Sequence, residues 1–296
     1  MSTSSDFTNG PIDIYNFDVS KLSLGEPKQL STYGVLVPIK YNGKNYVPYI
    51  VMPNLTMKQV IKDENNKFKL KFSFTGKDDQ SPRGERLRSA LTKLKEIDER
   101  IAQLIVSAAE EKGFKSGFMT KSNEKFDAEK VRSRYRTFWY QHVDENGTHF
   151  PETIRCKLLF DQNNPNTFAT MRDRPFLQNK DNVPVNVTIE TIEDVLTRNT
   201  LIKPVLRPMS LFVKKGDAQV SNSWGFFYGK IVKEGNSNQV AQIQDDPEDD
   251  SNTAAVSSLD RGLGDISISK TVEEDGSEYE EETDEDDEDA QLLAAR

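Results

Sequence analysis

The chain reads as an α+β protein, a β-rich body with one long packed helix and a disordered acidic C-terminal tail. Three observations predict this. Short runs in which apolar and polar residues alternate, the period of a half-buried strand, recur between residues 31 and 235. One stretch alone, Ser81 to Gly113, keeps long helical spacing. From about residue 236 periodicity disappears and acidic residues accumulate. The expected organisation is an irregular arm over 1–30, a single domain over 31–235 with its helix at about 82–112, and a tail over 236–296.

The arm mixes Ser, Asp, Asn and Pro with scattered aromatics (Phe7, Tyr15, Phe17) and is expected to be irregular, with part of it docked on the body as the alternative. Over residues 33–53 two β-rich runs flank Asn42-Gly43, a hairpin cue because both residues accept positive φ. Pro38 and Pro48 point to a sheet edge, since proline cannot donate to a ladder. Phe68 to Thr75 predicts a strand with Phe68, Leu70, Phe72 and Phe74 inward and Lys69, Lys71 and Ser73 outward. Ser81 then supplies an N-cap and Pro82 a first-turn proline. Leu87, Leu91, Leu94, Ile101, Leu104, Ile105 and Ala108 form one apolar stripe, with Asp98 its single departure. Two Gly-Phe pairs make residues 113–126 a basic loop, and Asp127 is placed to cap a short helix.

The stretch from Val131 to Phe160 concentrates charge and aromatic rings. Arg132, Arg134 and Arg136 stand at every second position, followed by Phe138, Trp139 and Tyr140. As a strand, the segment sets the guanidinium groups in one row continued by rings; as a helix, Arg132 and Arg136 still share a face but lose alignment with the aromatics. After a turn at Glu145-Asn146-Gly147, the run from Thr153 to Phe160 alternates again, with Arg155 and Lys157 opposite Ile154, Cys156, Leu158 and Phe160. Further strands are expected at 183–190, at 201–213 (broken by Pro204 and Pro208) and at 223–232, with a short helix or crossover over 191–200. In the last strand Trp224, Phe226, Tyr228 and Lys230 share a face, and Gly225 and Gly229 leave room on the other for a backbone or ligand.

The formal net charge of -9 divides unevenly. From Asp245 to Arg296 there are 20 acidic and 3 basic residues, or -17, which leaves 28 acidic and 36 basic residues, or +8, on residues 1–244. A basic body with an acidic tail suits a polyanion binder. Cys156 is the only cysteine, so no intrachain disulfide forms, as expected in a reducing intracellular compartment. With only His142 and His149 besides, no Cys/His zinc set can be assembled. No apolar run reaches the roughly 18 residues of a membrane span. Phosphate-cradling glycine loops, a nucleophile elbow and a metalloprotease helix are all missing, so no catalytic residue or cofactor is assigned.

Cations beside exposed rings are what a nucleic-acid single strand requires, charge for phosphates and flat faces for unstacked bases. The segments TIRCKLLFDQNNPNT, VTIETIEDVLTRNTLIKPVLRPMSLFV and SWGFFYGKIV, spanning Thr153 to Val232, resemble the single-stranded DNA-binding proteins of nucleocytoplasmic large DNA viruses. The resemblance implies an OB-like antiparallel β-barrel, a role in replication, recombination or repair without catalysis, and a host cytoplasmic or nuclear setting. The site expected from residues and resemblance together comprises Arg132, Arg134, Arg136, Arg155 and Lys157 on phosphates and Tyr135, Phe138, Trp139, Tyr140 and Trp224 on bases. The tail is expected to compete for the groove or recruit replication proteins, although it ends in Arg296 rather than the aromatic or acidic tip common in such tails. The competing expectation is a structural or chaperone-like protein whose tail binds histones or basic virion proteins.

Overall fold

Alternation becomes inside and outside. In the computed structural model, which describes residues 10–29, 34–44, 46–63, 67–110, 128–161, 167–171, 175–214 and 219–235, Phe68, Leu70 and Phe72 are buried and Lys69 and Lys71 are half-buried along β2 (Phe68–Ser73). Strand β3 (Thr153–Leu158) likewise buries Ile154, Cys156 and Leu158 and turns Arg155 and Lys157 out. With β1 (Leu55–Lys62), β4 (Leu201–Pro208) and β5 (Trp224–Lys233), these strands close in the order β1-β2-β3-β5-β4-β1. All these pairings are antiparallel except β3 with β5, which is parallel. A closed five-stranded barrel of this order is OB-like, and closure removes the open edges a flat sheet would expose. Its interior is filled by Trp224, Phe226, Phe72, Leu70, Ile154 and Cys156.

The long helix α1 (Pro82–Glu110) follows β2. Ser81 caps it, its Oγ accepting from the Gly84 N–H at 3.1 Å. Leu87, Leu91, Leu94, Ile97, Ile101, Ile105 and Ala108 are buried, and Leu104 is half-buried at the margin of the stripe. That face packs on residues 14–24 and on the short helix α2 (Ala128–Ser133). Residues 10–29 are thus more than an arm: Ile14, Phe17 and Leu22 are core side chains, Ile12–Asp13 pairs with Ile50–Val51, and Leu22–Leu24 pairs with Ile39–Tyr41.

Several expectations change. The stretch over 131–140 is neither one strand nor one helix: α2 ends at Ser133, Tyr135–Arg136 joins a second sheet, and Trp139–Tyr140 pairs with β3. That second sheet runs Lys28–Gln29, Gly34–Val37, Leu211–Lys214, Gln219–Ser221, Tyr135–Arg136. Asn42 and Gly43 do make the expected turn, with φ of 51° and 73°, but among the described residues its arms share only the Tyr41–Lys44 bridge. Pro204 does not break its strand. Its register partner is Gly229, and its carbonyl accepts from the Met52 N–H at 3.0 Å; the break falls at Met209–Ser210, where the chain changes sheets. The strand expected at 183–190 shrinks to Pro184–Val185, and α3 (Ile192–Val195) is the short helix of the crossover. The expected loop over 113–126 lies outside the described residues, and so does the acidic tail. Among the described residues no helix is long and apolar enough to cross a membrane.

Candidate nucleic-acid interface

The outward positions of β2 and β3 bring cations face to face. Arg155 lies opposite Lys71 and Lys157 opposite Lys69 in the antiparallel register. Like charges directly across a ladder destabilise a sheet, so two adjacent pairs of them are a feature that stability alone does not select. The row through Lys69 and Lys157 continues across Gly225 of β5 to Arg207 of β4. On the other flank, a register shift between Met57 and Gln59 sets Lys58 beside this surface. Burial first, then the charges of Arg198 and Lys71, holds the Lys58 ammonium below its ordinary pKa.

Tyr140 is the predicted ring that belongs to this face. It pairs with Thr153, which shares the outward side of β3 with Arg155. The Arg155 guanidinium lies 4.7 Å and the Lys71 ammonium 4.9 Å from its ring centroid, within cation–π range. Burial acts to raise the Tyr140 phenol, but Lys71, Thr153 and the Arg155 charge outweigh it and hold it below the usual tyrosine value. In a second ring–cation group, Arg207 of β4 stands 4.6 Å from Phe227 of β5 and 5.0 Å from Tyr49, just before Ile50–Val51.

The other predicted rings are placed elsewhere. Phe138 and Trp224 are 5 % and 0 % exposed and stack on each other with centroids 4.3 Å apart, so they fill the core and offer no face to a base. Trp139 alternates with Tyr140 and turns instead to α1, where the Lys95 ammonium lies 4.3 Å from its ring. Tyr135 is committed to a buried network: its hydroxyl donates to Asp98 Oδ1 at 2.6 Å, and Asn222 Nδ2 donates to the same oxygen at 2.8 Å. Burial pushes Asp98 up to about 6, against the lowering effect of Tyr135, Asn222 and Trp139. The arginine row is dispersed as well. Arg132 pairs with Glu99 of α1 at 2.5 Å, Arg134 is exposed in the turn after α2, and Arg136 lies against the Gln219 amide. Of the ten expected positions, the β2–β3 face gathers Tyr140, Arg155 and Lys157.

The open places expected beside Gly225 and Gly229 are filled by the protein. A Cβ on Gly225 would come within 2.7 Å of the Phe227 ring, and one on Gly229 within 2.5 Å of Ile202. Lys69 and Lys71 were visible in the sequence as a basic outer face, yet their register with Arg155 and Lys157 was not. Lys58, Arg198 and Arg207 carry no sequence signal of their own, because only closure of the barrel brings β1 and β4 to this surface. Among the described residues no cluster of His, Cys, Asp or Glu is placed to hold a metal.

No protein-family model and no curated protein matches the chain. Among solved structures, the single-stranded DNA-binding protein from bacteriophage Enc34 aligns with 76 % of this chain and 96 % of its own, at 13 % identity and a TM-score of 0.35. The same phage protein in complex with ssDNA aligns with 73 % of this chain and 97 % of its own, at 14 % identity and a TM-score of 0.33. Likeness at that level leaves the functional reading to rest on the geometry of this chain.

Proposed function

We propose that the chain binds single-stranded DNA on the β2–β3 face, without catalysis, in replication, recombination or repair. The observation that carries this is the pair of facing cation pairs, Arg155 with Lys71 and Lys157 with Lys69, beside the half-buried Tyr140 ring. Strands 2 and 3 are the face on which OB barrels take oligonucleotides. Here that face supplies charge for a backbone and one ring for a base, the two elements of sequence-tolerant single-strand binding. The acidic tail, at -17 against +8 for residues 1–244, is a competitor for the same cations or a contact for replication proteins.

Titration of a labelled oligo-dT across a salt series tests the proposal. Neutralisation of about five phosphates, by Lys58, Lys69, Lys71, Arg155 and Lys157, sets a log–log slope of about -3.5, at about -0.7 per contact. A Lys71→Gln/Arg155→Gln variant should bind more weakly with a slope shallower by about 1.4. Affinity and slope unchanged in that variant would remove the face from the proposal. Capture of basic proteins with no oligonucleotide binding at low salt would favour the chaperone-like alternative instead.

A further inference from the structure

Between Tyr140 and β3 the chain makes a ribbon, residues 141–150, that the interface described above does not use. It is held from end to end. Val143 bridges His149, the Phe150 N–H donates to the His142 carbonyl at 2.9 Å, and the Gln141 side chain donates to the Phe150 carbonyl at 3.0 Å. At the tip, Asp144 Oδ1 accepts from the Asn146 and Thr148 N–H groups at 2.9 and 2.8 Å, and Gly147 supplies the positive φ of 77° that the turn requires. This ordered ribbon carries apolar surface in water: Phe150 and Val143 are each 44 % exposed. The Phe150 ring lies against the His142 imidazole with centroids 5.3 Å apart and planes tilted by 42°.

Single exposed apolar side chains need no explanation. A pair of rings held on a hydrogen-bonded ribbon that follows directly on the Tyr140–Thr153 pairing is a different matter. His142 lies two residues beyond Tyr140, where the paired strand ends, and is joined across the ribbon to Phe150, whose N–H donates to its carbonyl at 2.9 Å. Two residues of chain reach at most roughly 7 Å, so the His142–Phe150 pair stands within a nucleotide's reach of Tyr140. Phenyl and imidazole faces are among the surfaces on which unstacked bases pack.

We infer that Phe150 and His142 form a further base-stacking site, which takes the nucleotides of the single strand next to those held at Tyr140, Lys71 and Arg155. This inference rests on the proposed function and names additional contacts for it. The bound partner is the nucleobase, while the phosphates are held on the barrel face.

The test uses the full chain and three oligonucleotide measurements. Phe150→Ala/His142→Ala should weaken oligo-dT binding roughly ten-fold or more, the loss of about one stacked base, with the salt slope unchanged. On an abasic oligonucleotide of equal length, variant and parent should bind alike. Phe150→Trp keeps a ring and should lose fluorescence on binding, which gives a readout if the alanine variant folds poorly. Parental oligo-dT affinity in the alanine variant, or an unquenched Trp at position 150, would overturn the inference. If Lys71→Gln/Arg155→Gln loses binding in the same experiments, the proposed function survives that failure. Absence of binding by the parent chain at low salt would overturn both.

Discussion

Asp98 shows what one residue can do inside a helix whose pattern excludes it. It interrupts the apolar stripe of α1 and is 2 % exposed, with Tyr135 and Asn222 donating to one carboxylate oxygen. Burial raises its pKa from 3.8 to about 6. The folded state therefore keeps this proton in a range where the unfolded chain loses it. The associated stability is fully present below pH 3.8 and is lost as pH rises through about 6. At 1.36 kcal/mol per unit, the loss is on the order of 3 kcal/mol at neutral pH. Asp98→Asn keeps an oxygen for both donors and removes the titration. Its melting temperature should exceed that of the parent at pH 7, and the difference should shrink toward pH 4. A pH-independent difference between the two proteins would show that Asp98 is not the titrating group. The sequence showed Asp98 as an exception but not its reason, because its partners are 37 and 124 residues away.

The neighbouring rings make the same point. Phe138, Trp139 and Tyr140 look equivalent as a cluster, but the fold sends them to the core, to α1 and to the cationic face in turn. Phe138→Ala should cost about 3–5 kcal/mol of stability, as other buried phenylalanines do. Tyr140→Ala should cost little stability in chemical denaturation but about 1–3 kcal/mol of oligonucleotide binding. The reverse pattern would mean that Tyr140 is a core residue and the stacking role lies elsewhere.

At the scale of elements, alternation made β2 and β3 legible, and capping with helical spacing made α1 legible from its first residue, Pro82, through Glu110, the last of its described residues. The arginine segment was not legible, since spacing by two and by four both gather its charges and only tertiary pairing decides between them. Register was hidden too, and register is what puts Lys69 against Lys157 and Lys71 against Arg155. A sheet optimised for stability would not oppose like charges, and relief of that repulsion is measurable. Lys69→Gln/Lys157→Gln should raise stability by roughly 0.2–1 kcal/mol, the scale of a cross-strand pair, and make the DNA salt slope shallower by about 1.4. Gain in one assay with loss in the other is the signature of a binding face held at some expense to the fold. A variant that loses both stability and binding would mean that these lysines support the sheet.

Across the whole molecule the dominant quantity is the charge imbalance, +8 over residues 1–244 against -17 over 245–296. It is legible from the sequence alone, because charge adds without reference to fold. Ending the chain after Gln244 should tighten oligo-dT binding at low salt if the tail competes for the cationic face. The Debye length falls from about 30 Å at 0.01 M salt to about 8 Å at 0.15 M, so the advantage of the shortened chain should fade as salt rises. The full chain should accordingly give the shallower salt slope, since salt weakens its internal competitor along with its hold on DNA. A full-length chain in which the acidic residues of 273–289 are replaced by Asn and Gln separates charge from length. It should bind like the shortened chain if charge is the cause. Binding like the parent at every salt concentration would leave the tail as a contact for partners and remove it from control of the groove.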